Sequence, residues 1–175
     1  KRNAVAESYA YGTQKAKNTN LKQFAETIRF LEEQDVRTPE QLTEKIQEFD
    51  TQLKEVSQRL KKQLAALQRV NVNLYAMKEY FETRPVYLEL KNKYFGREKF
   101  KEEHKKELSG YYRSERILKE NLDANGKIPE GKWKREADCL SEEIAALRKE
   151  DKRIHAMLRK YEKVKNHVEV LMAEE

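Results

Sequence analysis

The sequence has 175 residues and a formal net charge of +6; charged residues (39%) are as common as hydrophobic ones (38%), while glycine, proline and cysteine number five, three and one. This composition favours long helices with narrow apolar stripes over a thick globular core. No run comes near the roughly 18 apolar residues of a membrane helix and no signal-peptide core opens the chain, so a membrane role is not expected.

The single cysteine, Cys139, excludes an internal disulfide and fits a cytoplasmic protein. Because the chain starts at Lys1 without a Met, it reads as an excerpt of a longer protein.

In chain order, residues 1–17 are weakly patterned, and YGTQKAKNTN reads as a loop leading to a helix capped by Asn18, Thr19 or Asn20. Leu21, Phe24, Ile28 and Leu31 then put one apolar face on a helix ending near Gln34. The stretch RTPEQL is a stronger start, with Thr38 as N-cap, Pro39 at the first helical position and Gln41 completing a capping box. An apolar heptad runs from there to about Phe81. Pro85 disfavours helical geometry at Arg84, so the first long helix is expected within 38–84. Residues 85–128 read as a cap of short helices: PVYLELKNKYF ending at Gly96, REKFKEEHKKEL at Ser109 and Gly110, and YYRSERILKENL before Asp123. DANGK marks a turn, and Pro129 the first residue of a second long helix over 129–175. With the N-terminal segment 1–37, these parts are expected to make one domain.

The two long stretches share a pattern. Ile46, Leu53, Leu60, Leu67, Leu74 and Phe81 fall seven apart, as do Leu42, Phe49, Val56, Gln63, Val70 and Met77. The far stretch repeats this with Trp133, Leu140, Leu147, Ile154, Tyr161 and Val168, and with Ala137, Ile144, Asp151, Leu158, Lys165 and Met172. Laid antiparallel with Phe81 level with Trp133, a-type positions face d-type positions, and the polar intruders Gln63 and Asp151 share a layer. The expected fold is all-α: a long antiparallel coiled-coil hairpin, a cap of short helices at its tip, and an N-terminal helix packed near the open end. Gln63 and Asp151 are expected to form a hydrogen-bonded, register-setting layer, since an unpaired buried polar group costs about 1–3 kcal/mol. The alternative is that both bend to solvent while Leu64 fills the gap. The seam serves a monomer or a helix-exchanged homodimer equally.

The search for catalytic chemistry is negative. His104, His155 and His167 are far apart and lack ligand spacing with Cys139, so neither a metal nor a cofactor is expected, and each histidine is assigned to solvated surface. There is no glycine-rich phosphate loop and no nucleophile elbow. The carboxylates are spread along helix faces opposite Lys and Arg. Neither enzymatic activity nor a small-molecule substrate is expected of this fragment.

The positive chemical signal lies in residues 91–119, with ten basic and five acidic groups. Lys91, Lys93, Arg97, Lys99, Lys101, Lys105, Lys106, Arg113, Arg116 and Lys119 are interleaved with Tyr94, Phe95, Tyr111 and Tyr112. That mixture can neutralise phosphates and offer stacking faces to unpaired bases, so single- or double-stranded DNA is the candidate partner. The competing reading is a solvated helix face, with Glu98, Glu102, Glu103 and Glu107 among the cations and the aromatic rings turned into the core.

At NLKQFAETIRFLEE (Asn20 to Glu33), RPVYLELKNKYFGREKFKEEHKKEL and GKIPE, the chain resembles the region after the nuclease domain in relaxases, the mobilisation proteins of conjugative and mobilisable elements in Gram-positive bacteria. The resemblance covers most of the chain. It implies a parent protein that nicks one strand of origin-of-transfer DNA with a tyrosine, assisted by a histidine-bound metal. None of that machinery maps onto positions here, so what it implies for this chain is a helical accessory domain that holds DNA or contacts relaxosome or secretion-channel proteins. A structural coiled-coil scaffold or dimerisation rod with no nucleic-acid role is the reading from another class.

Overall fold

Thr38 and Pro39 open the longest helix as the sequence signals require: Thr38 Oγ1 accepts from the Gln41 backbone N–H at 3.3 Å, and Pro39 is the first helical residue. The Gln41 side chain reaches one residue further back than a capping box would, accepting from the Arg37 N–H at 2.8 Å. The computed structural model describes residues 22–172, without the side chains of the last two. The expected loop at 1–17, the cap at Asn18 to Asn20, Leu21 and the seam side chain of Met172 lie outside the described residues. All regular structure described is helical: α1 (22–33), α2 (Pro39–Asn92), α3 (Arg97–Glu103), α4 (Lys105–Glu120) and α5 (Glu130–Met172). The chain divides into two units, one joining the segment up to Val56 with Glu150 onward, the other running Ser57–Lys149.

In the first unit the start of α2 packs antiparallel to the end of α5, with α1 against α5. The core gathers Val36, Leu42, Tyr161 and Val164, flanked by Phe30, Leu31, Ile46, Phe49, Met157 and Val168. Tyr161 is at its centre, edge-on to Phe30 at 5.0 Å and tilted against Phe49 at 5.3 Å. Its hydroxyl donates to Gln34 Oε1 at 3.2 Å. The inward face of α1 differs in part from the expected one: Leu31 packs in the core, but Thr27 is buried and bonds His167 Nδ1 at 3.0 Å, whereas Phe24 and Ile28 are 40% and 48% exposed. The helix is turned so that Gln23, Thr27, Phe30 and Gln34 follow α5, because α5 offers a polar His167 as well as Tyr161. α1 ends in a Schellman motif, with Val36 N–H on the Leu31 carbonyl at 2.9 Å and Asp35 taking the left-handed position at φ 50°.

In the second unit α2 and α5 again run antiparallel, connected through α3 and α4. Trp133 shares a core with Val70, Ala76 and Leu118, bordered by Leu74, Met77, Tyr80, Ala137 and Leu140. Phe81, expected level with Trp133, is instead 52% exposed, and the α2 side chains gathered around Trp133 are Val70, Leu74, Ala76, Met77 and Tyr80. Each residue of the expected Gln63 and Asp151 layer has a partner of its own. Gln63 Nε2 donates to Glu143 Oε2 at 2.6 Å, and Asp151, about two turns further along α5, faces His155 at 3.8 Å.

Two expected helix ends are overruled. α2 continues through Pro85 to Asn92, although Pro85 cannot bond the Phe81 carbonyl and an interior proline costs about 3 kcal/mol. The turns beyond it bring Leu90 into a buried cluster with Phe100 and Leu108, and burying three such side chains contributes about 5–9 kcal/mol, which decides the balance. Likewise α4 runs through Ser109 and Gly110, and the expected break falls at His104. Gly110 serves packing there: a Cβ would lie 3.0 Å from Glu79 Oε1, so a bare backbone lets α4 approach α2. Pro129 is one residue outside α5 and caps it, its carbonyl accepting from Lys132 and Trp133. The DANGK turn before it is closed by Asp123 Oδ1, which accepts from the N–H groups of Asn125 and Lys127.

Candidate nucleic-acid interface

The loop between α2 and α3 is braced at both ends. Lys93 N–H bonds the Leu90 carbonyl as α2 ends, Gly96 turns the chain at φ 68°, and Phe100 N–H bonds the Gly96 carbonyl as α3 begins. Leu90 on one side and Phe100 on the other are buried together. Between these anchors Tyr94 and Phe95 stand 92% and 89% exposed.

The other two tyrosines expected as stacking faces behave differently. Tyr111 is buried and stacked flat on Tyr87 at 4.1 Å, with Tyr80 beside it at 5.3 Å. Burial, with the neighbouring Tyr80 hydroxyl, pushes its phenol well above the ordinary tyrosine range. Tyr112 is half-exposed and edge-on to Tyr87 and Tyr111. The core therefore claims one expected stacking residue outright and holds the second at its rim, while Tyr94 and Phe95 are left to solvent.

The cations divide in the same way. Lys91, Arg97, Lys105, Lys106 and Arg116 are exposed and form no ion pair among the described residues. Lys93 reaches Glu89 at 3.6 Å and lies over the Phe100 ring at 4.5 Å; Lys99 reaches Glu103 at 3.8 Å, Lys101 reaches Glu98 at 2.7 Å and Lys119 reaches Glu115 at 3.2 Å. Such surface pairs are worth about 0–1 kcal/mol, so they yield readily to a phosphate. The hydrogen bond from Lys101 holds the Glu98 carboxyl below its usual range, keeping it ionised. Arg113 is a separate case. It is bound at 2.5 Å to Glu79, whose side chain is mostly buried, and the same contact raises the guanidinium further above its ordinary value. Arg113 ties α4 to α2 and is withdrawn from the set of available cations.

Two of the three histidines are less solvated than expected, while His155 is exposed. His104 lies against Phe100 at 4.3 Å, and its Nδ1 is buried without a hydrogen bond among the described residues, Glu107 being 3.8 Å away and out of reach. His167 is the Thr27 partner described above. Cys139 is exposed. Among the described residues no group of three or more His, Cys, Asp or Glu side chains is arranged to hold a metal ion, and no helix is long and apolar enough to cross a membrane.

Compared with protein-family models, with curated proteins and with solved structures, the chain gives no match.

Proposed function

We propose that the chain is a non-catalytic helical arm that binds DNA through the cations of residues 91–119, acting as an accessory domain of a relaxase in DNA mobilisation. The observation that carries this reading is the set of five exposed cations within residues 91–119 that form no ion pair among the described residues, in the stretch that also bears two bare aromatic rings. Unpaired Lys and Arg groups release condensed counterions when they meet phosphates, and that release drives binding without base contacts. The relaxase setting comes from the sequence resemblance. In that setting the arm serves origin-of-transfer DNA or relaxosome and secretion-channel proteins, and strand nicking belongs to another part of the parent protein.

Fluorescence-anisotropy titration with single- and double-stranded DNA at two salt concentrations tests this. If five cations each neutralise one phosphate, affinity falls on the order of 10²–10³-fold between about 50 and 200 mM salt. Charge reversal at Lys105 and Lys106 weakens binding further. Absence of saturable binding to either form rejects the reading.

One feature favours the scaffold alternative. An open groove of about 730 Å³ on α2, lined by Leu64, Leu67, Val72, Tyr75 and Ile117 among others, leaves apolar side chains bare. Under that reading the chain dimerises in light scattering and ignores DNA.

A further inference from the structure

We infer that the loop carrying Tyr94 and Phe95 is a stacking site for unpaired nucleic-acid bases, and that it makes the arm select single-stranded over duplex DNA. The inference rests on the DNA-binding reading and sharpens it from a charge effect to a strand preference.

Three observations support it. The first is exposure: at 92% and 89%, Tyr94 and Phe95 present nearly whole ring faces, while Tyr111 nearby shows that the same unit buries aromatic rings when it has the choice. The second is bracing. Leu90 and Phe100 fix the two ends of the loop in one buried cluster, and Gly96 takes the positive φ that the turn needs, so the rings sit on a supported platform. The third is charge. Lys91 and Arg97 flank the two rings along the chain and form no ion pair among the described residues, with Lys93 and Lys99 in surface ion pairs a few residues away.

A base stacked on Tyr94 or Phe95 leaves its own phosphates near these cations, the combination by which single strands are held. Duplex DNA cannot use the rings in this way, because its bases are already stacked on one another. A flat anionic membrane fits less well. Glu98, Glu102 and Glu103 of α3 are exposed among the cations and would repel such a surface.

The test uses the whole chain with a fluorescein-labelled oligothymidylate of about 20 nucleotides and a duplex of equal length, in the wild type, a Tyr94→Ala/Phe95→Ala variant and a Lys105→Glu/Lys106→Glu variant. The wild type should bind the single strand at least about 10-fold more tightly than the duplex, and the alanine pair should lose about 10- to 100-fold on the single strand while duplex affinity stays within about 2-fold. Melting of the alanine pair followed by far-UV circular dichroism should match the wild type, since both rings are bare. Unchanged single-strand affinity in the alanine pair, or an equal loss on both DNA forms, overturns the stacking site. If charge reversal weakens binding and ring removal does not, only the stacking inference falls; if neither DNA form binds at all, the functional reading falls with it. Co-sedimentation with phosphatidylserine-containing vesicles that the alanine pair abolishes, with single-strand binding intact, would make the loop a membrane anchor and also overturn it.

Discussion

Tyr161, in the unit built from α1, the start of α2 and the end of α5, is 2% exposed between the rings of Phe30 and Phe49. Tyr94, in the loop that joins α2 to α3, is 92% exposed and pairs with no ring among the described residues. Both follow apolar or aromatic residues at helix-compatible spacing, so residue type alone does not separate them. The difference lies in what each is offered. Tyr161, on α5, has α1 and α2 packed against it and Gln34 to accept its hydroxyl hydrogen bond; Tyr94 comes after the last turn of α2, where Gly96 turns the chain before α3 begins. A covered ring holds the fold together, and a bare one is free for a partner.

The sharpest way to break this comparison is to delete each ring. Tyr161→Ala should cost about 3–5 kcal/mol by emptying a packed site, and Tyr94→Ala should stay within about 0.5 kcal/mol; urea unfolding followed by circular dichroism measures both. Similar costs at the two positions would remove the distinction.

Alkaline titration comes next. Burial raises the phenol of Tyr161, and burial with Tyr80 nearby raises that of Tyr111, above the unfolded value of 10.0. The folded state then holds two protons that the unfolded chain releases. Their stabilisation is intact below pH 10 and falls above it, by about 1.4 kcal/mol per pH unit for each phenol that stays neutral in the folded state. Tyr161→Phe and Tyr111→Phe should each flatten the decline in stability between pH 10 and the folded pKa.

Pro85→Ala should raise stability by about 1–2 kcal/mol, restoring the missing helix bond at some cost in unfolded-chain entropy, without changing DNA affinity. A loss of stability would mean that the proline shapes the path of α2 to the loop. Gly110→Ala gains about 1 kcal/mol of helix propensity but pushes on Glu79, so it should be close to neutral in the wild type and stabilising in a Glu79→Ala background. A double-mutant cycle on melting temperature reads that coupling. The smallest effect is expected at the seam edge: Gln63→Leu should stabilise slightly, by less than about 1 kcal/mol, because an exposed hydrogen bond to Glu143 is exchanged for apolar contact. A marked loss, or a change of oligomeric state, would give Gln63 the register-setting role expected from the sequence.

Much of the fold was legible in the chain itself. The Thr38 and Pro39 start, the DANGK turn, the two apolar heptads and their antiparallel pairing depend on contiguous residues and short periods, and those signals survive in the structure. The candidate site was legible as a list of cations and aromatics. Which of them the fold engages was not, since Arg113, tied to Glu79, and Tyr111, buried, carry the same local signals as Arg97 and Tyr94.

The sequence by itself determined the helical class and the places where helices can begin, because caps and amphipathic periods are set by neighbours along the chain. Only the tertiary structure decided that α2 passes through Pro85, that α4 passes through Gly110, that α1 turns Thr27 inward, and that Tyr94 and Phe95 stay bare. Each of these outcomes weighs a local cost against burial supplied by residues far away in the chain. That burial has no counterpart in a short window of sequence.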